Sequence, residues 1–92
     1  MIKFLVHEST DTVGVATEDI RAGETAQGLF MDSQDNIEMK ALSDIPLGHK
    51  IALKDFAVDD TVTKYGHDIG KVVVDIKAGD HVHIHNLKTK RW

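Results

Sequence analysis

The sequence predicts a mainly β protein assembled from many short strands, with at most short helical turns. Three observations carry that expectation. Apolar residues make up 41% of the 92 residues, but Phe, Tyr and Trp together only 5%, so the core must be built from Val, Ile, Leu and Ala. Short runs rich in strand formers are separated by turn-forming hexads of one recurring type. No long stretch keeps a helical period; between Leu42 and Leu53, Pro46 and Gly48 interrupt it.

In order, Ile2 to His7 and Thr12 to Thr17 read as strands about a turn at Glu8-Ser9-Thr10-Asp11. Ala26 to Met31 and Ile37 to Leu42 read as a hairpin around residues 32–36. Ile51 to Leu53, Thr61 to Lys64, Val72 to Val74 and His81 to His85 read as further strands, with single helical turns allowed just before Pro46 or near Ala52-Leu53-Lys54.

The connections repeat. Asp19-Ile20-Arg21-Ala22-Gly23-Glu24 recurs 56 residues later as Asp75-Ile76-Lys77-Ala78-Gly79-Asp80. Asp44-Ile45-Pro46-Leu47-Gly48-His49 is a looser copy, and Asp55-Phe56-Ala57-Val58-Asp59-Asp60 looser still. Each is expected to bury its Ile or Phe beside a tight turn in which Gly takes a positive φ. The irregular spacing argues for an internally duplicated compact domain over residues 1–92, and against a solenoid.

Charge and composition exclude several functions. A net charge of −4 gives no footprint for nucleic acid, and the basic residues Lys88, Lys90 and Arg91 form a local tail. Without cysteine there is no disulfide, thiolate metal site or thiol nucleophile. The opening Met1-Ile2-Lys3-Phe4-Leu5-Val6-His7 is too short and polar for a signal peptide or membrane span, which makes a cytoplasmic protein without membrane partners the expectation. No phosphate loop, zinc-protease helix or serine triad is visible.

The chemistry-bearing residues concentrate late in the chain. In Gly79-Asp80-His81-Val82-His83-Ile84-His85-Asn86, a strand would place three imidazoles on one face. Same-face neighbours on a strand lie ~7 Å apart and metal–nitrogen bonds are ~2.1 Å. His83 with His85, or His81 with His83, could therefore supply two metal ligands, and a third must come from another loop or subunit. The bland alternative is the polar face of an edge strand. Gly48-His49-Lys50 suits a carboxylate- or sulfonate-binding corner, or is an ordinary charged turn. Tyr65, beside Gly66 in Lys64-Tyr65-Gly66-His67-Asp68-Ile69-Gly70, could project its hydroxyl into a cleft, or be a half-buried turn aromatic. Asn86 could orient a ligand or cap a turn, and Trp92 could pack on a partner or end a loose tail.

These motifs, Asp44-Ile45-Pro46-Leu47-Gly48-His49-Lys50, Lys64-Tyr65-Gly66 with Ile69-Gly70, and Gly79 with Val82-His83-Ile84-His85-Asn86, resemble the SAF (β-clip) domain of altronate and galactarate dehydratases. The opening heptad and the ending Asn86-Leu87-Lys88-Thr89-Lys90-Arg91-Trp92 resemble, within that family, the free-standing small (alpha) subunits of sulfolactate sulfo-lyases. The resemblance implies a compact β-clip fold, and a small subunit that acts with a separate large, dehydratase-like (beta) subunit on a small anionic hydroxy acid. The implied reaction is β-elimination, of sulfite from (2R)-3-sulfolactate or of water from a sugar acid. It also implies a divalent metal, commonly Fe2+. Carried onto this sequence, the motifs make His83, His85 and Tyr65 candidate catalytic residues. His49, Lys50, Gly66 and Asn86 become candidate substrate-binding residues, and His83 and His85 candidate metal ligands. A non-catalytic assembly module and a free-standing metal- or acid-binding protein stay open beside this reading.

Overall fold

The computed structural model of the chain describes residues 1–64, 67–83 and 87–88. Every regular element among them is a strand: β1 (Ile2–Val6), β2 (Val13–Ala16), β3 (Thr25–Phe30), β4 (Asn36–Lys40), β5 (Lys50–Ala52), β6 (Thr61–Lys64), β7 (His67–Val72), β8 (His81–Val82) and β9 (Leu87–Lys88). They form a six-stranded sheet ordered β4-β3-β1-β2-β5-β8 and a three-stranded sheet ordered β6-β7-β9. The mainly β expectation holds. Neither suggested helical turn forms; Leu42-Ser43 and Leu53-Lys54 are bends.

Scarcity of aromatics is met by giving one ring two glycines. Phe4, fully buried on β1, pairs across to Ala16 on β2 and Gly28 on β3. A Cβ on Gly28 would lie 2.2 Å from Phe4 Cε2, and one on Gly14 would lie 2.8 Å from its Cδ2. Around Phe4 gather Val6, Ala16, Ile20, Ala26, Ala41, Ile45 and Ile51. A second cluster, Val13, Ala52, Phe56, Val62, Val72, Ile76 and Val82, joins the β2-β5-β8 end of the large sheet to the small one. Strand β5 serves both, because alternation sends Ile51 to one cluster and Ala52 to the other.

The four hexads meet as two reciprocal clasps. In clasp one, Ile20 and Ile45 exchange backbone hydrogen bonds of 2.8 and 2.9 Å. Asp44 Oδ1 accepts the Ala22 N–H while Asp19 Oδ1 accepts the Leu47 N–H, both at 2.8 Å. In clasp two, Phe56 and Ile76 exchange the same pair of bonds, Asp75 accepts from Val58, and Asp55 accepts from Ala78. Each hexad closes a turn from the carbonyl of its third residue to the N–H of its sixth, with a positive φ at the fifth: Gly23 (89°), Gly48 (85°), Asp59 (79°) and Gly79 (93°). The anchors Ile20, Ile45, Phe56 and Ile76 are at most 3% exposed, as the hexad pattern predicts.

Most strand boundaries shift by a residue or two from the sequence reading, and two strands depart further. Val73 and Val74 are exposed bend residues, because β7 ends at Val72, whose N–H and carbonyl are taken by Asp60 and Asp59 of clasp two. The histidine strand is short as well: β8 covers His81–Val82 and His83 is a bend. Tyr65, Gly66, Ile84, His85, Asn86 and residues 89–92 lie outside the described residues.

Candidate metal centre

Strands β5 and β8 run antiparallel, with Lys50 opposite Val82 and Ile51 opposite His81. Continuing that register brings His49, the last residue of its hexad, opposite His83. The two rings stack with centroids 4.1 Å apart and planes 27° apart. His81, two residues earlier on the same side, lies 4.9 Å from the His49 ring and 5.6 Å from that of His83. His49 Nδ1 and His81 Nε2 are 2.8 Å apart, a hydrogen bond in which one ring donates and the other accepts. All three histidines are half-buried, and Val82 between the last two is fully buried on the opposite side. Ser43 Oγ accepts the His81 backbone N–H at 3.0 Å, tying β8 to the residue just before the second hexad.

One ring nitrogen from each of His49, His81 and His83 can be chosen so that all three lie within 4.8 Å of one another. Donors at tetrahedral positions around an ion at ~2.1 Å lie ~3.4 Å apart, so the more widely spaced nitrogens must close on one another. The rings of His81 and His83, only 11° from parallel, must also turn about their side-chain bonds to aim their lone pairs at one point. With those rotations the three histidines could form a metal site. Three imidazoles suit zinc, iron, copper or nickel, and three protein ligands leave positions open for water or substrate.

The structure thus joins His83 to His81 and supplies the third donor from another loop, His49. Lys50 shares the Val82 side of β5, whereas His81 and His83 alternate to the other side. His85, Tyr65, Gly66 and Asn86 lie outside the described residues.

The signal that sequence reading passed over is in the hexads. In three of them the sixth residue is acidic and its carboxylate accepts the third residue's N–H: Arg21 to Glu24 at 3.1 Å, Ala57 to Asp60 at 2.8 Å and Lys77 to Asp80 at 2.9 Å. In the second hexad the third residue is Pro46, which has no N–H, and the sixth is His49.

Among known proteins, the profile of the altronate/galactarate dehydratase SAF domain matches residues 2–90. The chain belongs to that family. The (2R)-sulfolactate sulfo-lyase subunit alpha of Chromohalobacter salexigens is 48% identical over 92 residues, covering 99% of this chain and 98% of that protein. The protein of the same description from Paracoccus pantotrophus is 55% identical over 66 residues, which is 70% of this chain and 98% of that protein. The altronate dehydratase of Bacillus subtilis is 39% identical over 89 residues, 97% of this chain but 17% of that enzyme. The resemblance to a SAF-domain small subunit therefore holds across nearly the whole sequence. Among the described residues, no helix is long and apolar enough to cross a membrane.

Proposed function

We propose that the chain is the small subunit of a cytoplasmic lyase that cleaves (2R)-3-sulfolactate to pyruvate and sulfite together with a large dehydratase-like subunit. The observation that carries the reading is the near end-to-end match to sulfo-lyase alpha subunits, reinforced by the three-imidazole cluster. In the elimination a base removes the proton from the carbon next to the carboxylate, a C=C bond forms, and the C–S electron pair leaves with sulfite. The enol of pyruvate that remains takes a proton on carbon and becomes pyruvate.

A divalent ion, Fe2+ by family expectation, would be held by His49, His81 and His83 and would supply Lewis acidity toward a substrate oxygen. The chain's own part is to fix those imidazoles: clasp one holds His49, and the β5–β8 pairing with Ser43 holds His81 and His83. His83 or His85 is assigned metal binding or proton movement at a ring nitrogen, and Tyr65 protonation of the leaving group. Lys50, Gly66 and Asn86 are assigned to the substrate's anionic and hydroxyl groups, and His49, matched in the same motifs, to the ion. Lys50, Tyr65, Gly66, His85 and Asn86 enter through the motifs they match, not through the cluster.

The test is sulfite release by the chain co-purified with its large partner. Alanine at His49, His81 or His83 should lower kcat/KM ~10–100-fold or more and weaken metal retention, measured on the same samples. Full activity in the triple variant would leave the chain an assembly module. Water loss from altronate without sulfite release would instead make it a sugar-acid dehydratase subunit, the reading favoured by the match to altronate dehydratase.

A further inference from the structure

We infer that Pro46 is a positioning residue for the imidazole cluster. It acts by withholding a backbone N–H that would otherwise capture the His49 ring. The inference deepens the metal-site reading and rests on it only for its consequence, not for its geometry.

In Arg21–Glu24, Ala57–Asp60 and Lys77–Asp80 the third-position N–H reaches a side-chain oxygen of the sixth residue at 2.8–3.1 Å. The histidine Nδ1 is attached to Cγ just as an aspartate Oδ is, so it can occupy the same acceptor position in a neutral ring. At residues 46–49 the turn is otherwise unchanged. The His49 N–H donates to the Pro46 carbonyl at 2.9 Å, Gly48 has φ 85°, and the His49 carbonyl accepts the Ala16 N–H at 2.8 Å. What differs, besides an imidazole in place of a carboxylate at the sixth position, is that no N–H stands at position 46. His49 Nδ1 lies instead 2.8 Å from His81 Nε2, with its ring stacked on His83. One backbone donor, present or absent, decides whether the sixth residue closes its own turn or faces β8.

The experiment uses Pro46→Ala in the 92-residue chain. The substitution creates a backbone N–H at position 46, and the expected result is that this new amide is protected from hydrogen exchange. NOEs between the His49 and His83 rings should weaken with it, and Co2+ affinity should fall about tenfold. A structural role alone would lower Tm and leave the ring NOEs intact. An unprotected amide at position 46 with parental NOEs overturns the inference. Adding His49→Asp to Pro46→Ala should recreate the acidic turn and raise Tm by about 4 °C or more, whereas His49→Asp beside Pro46 should give no such gain. Should Pro46→Ala alone fail to fold, rescue by His49→Asp supports the inference and failure of rescue overturns it. A parental chain that binds no Co2+ would remove the metal reading, while the amide and NOE results would still decide the role of Pro46.

Discussion

Clasp one and clasp two make the same backbone exchange and the same reciprocal aspartate bonds, yet among the described residues only clasp one turns a sixth residue toward the imidazole cluster. In clasp two both hexads end in a carboxylate that closes its own turn, Asp60 and Asp80. In clasp one Glu24 does so, but the partner hexad has given up that bond and presents His49 to β8. The comparison teaches that the imidazole cluster forms at the one hexad whose third residue, Pro46, has no N–H for the sixth to accept. The turn itself survives because it still has its backbone bond and its positive-φ glycine.

The largest expected effect separates the clasps at their glycines. Gly23 and Gly48 of clasp one and Gly79 of clasp two share φ values of 85–93°, but a Cβ at the first two meets open space. At Gly79 it would collide with the Lys40 carbonyl oxygen, because the end of β4 runs directly over that turn and the Leu42 N–H bonds to the Gly79 carbonyl at 2.9 Å. Alanine at residue 23 or 48 should cost ~1–2 kcal/mol, from the left-handed backbone alone. Gly79→Ala should cost about 3–5 kcal/mol, or prevent folding, since backbone must move. Urea unfolding of the three variants checks this, and equal costs would break the contrast.

Much of this architecture was legible because its signals are local. The four hexads, the buried anchor in each and the hairpin around residues 32–36 follow from turn chemistry and alternation. How the hexads pair was not legible. The best sequence match joins residues 19–24 to 75–80, whereas the structure clasps 19–24 with 44–49 and 55–60 with 75–80. Similarity between copies reflects a shared local conformation and carries no information on which copy binds which. The site divides the same way. The alternation of His81 and His83 about buried Val82 is a local property and was readable. The arrival of His49 depends on the antiparallel register of β5 and β8, elements about 30 residues apart, which periodicity alone does not set. That same register puts Lys50 opposite Val82, on the other side of β5 from His49.

A smaller effect concerns the one hexad whose fifth residue is not glycine. Asp59 has φ 79°, and its carboxylate contributes only an exposed ion pair to Lys71 at 3.4 Å. Glycine should remove the left-handed backbone cost and lose little in return, so Asp59→Gly is expected to stabilise the chain by about 1 kcal/mol. It would bring clasp two into line with its counterpart. A thermal or urea midpoint that falls would mean that the ion pair or unfolded-state entropy outweighs the backbone strain.

The smallest effect is a pH dependence belonging to clasp one, where Glu24 also pairs with Lys3 on β1. The Lys3 ammonium, then the Arg21 N–H, holds the Glu24 carboxyl below its ordinary 4.5, and Glu24 raises Lys3 above 10.5. Asp32, which accepts the Ser9 N–H at 2.8 Å, is likewise lowered from 3.8. A lowered carboxylate contributes stability above its unfolded value and loses it as pH falls through the folded one; a raised lysine contributes below 10.5 and loses it as pH rises through its folded value. The pair therefore adds a plateau between about pH 4.5 and about pH 10.5. In Glu24→Gln the alkaline shoulder should vanish, and the acid decline should begin nearer 3.8, where Asp32 remains. Lys3 and Glu24 are each about a quarter exposed, so solvent screens them, and ~1 M salt should shrink the difference between variant and parent. Parallel stability curves for the two proteins from about pH 3 to about pH 11 would show that the ion pair adds nothing to clasp one beyond its backbone bonds.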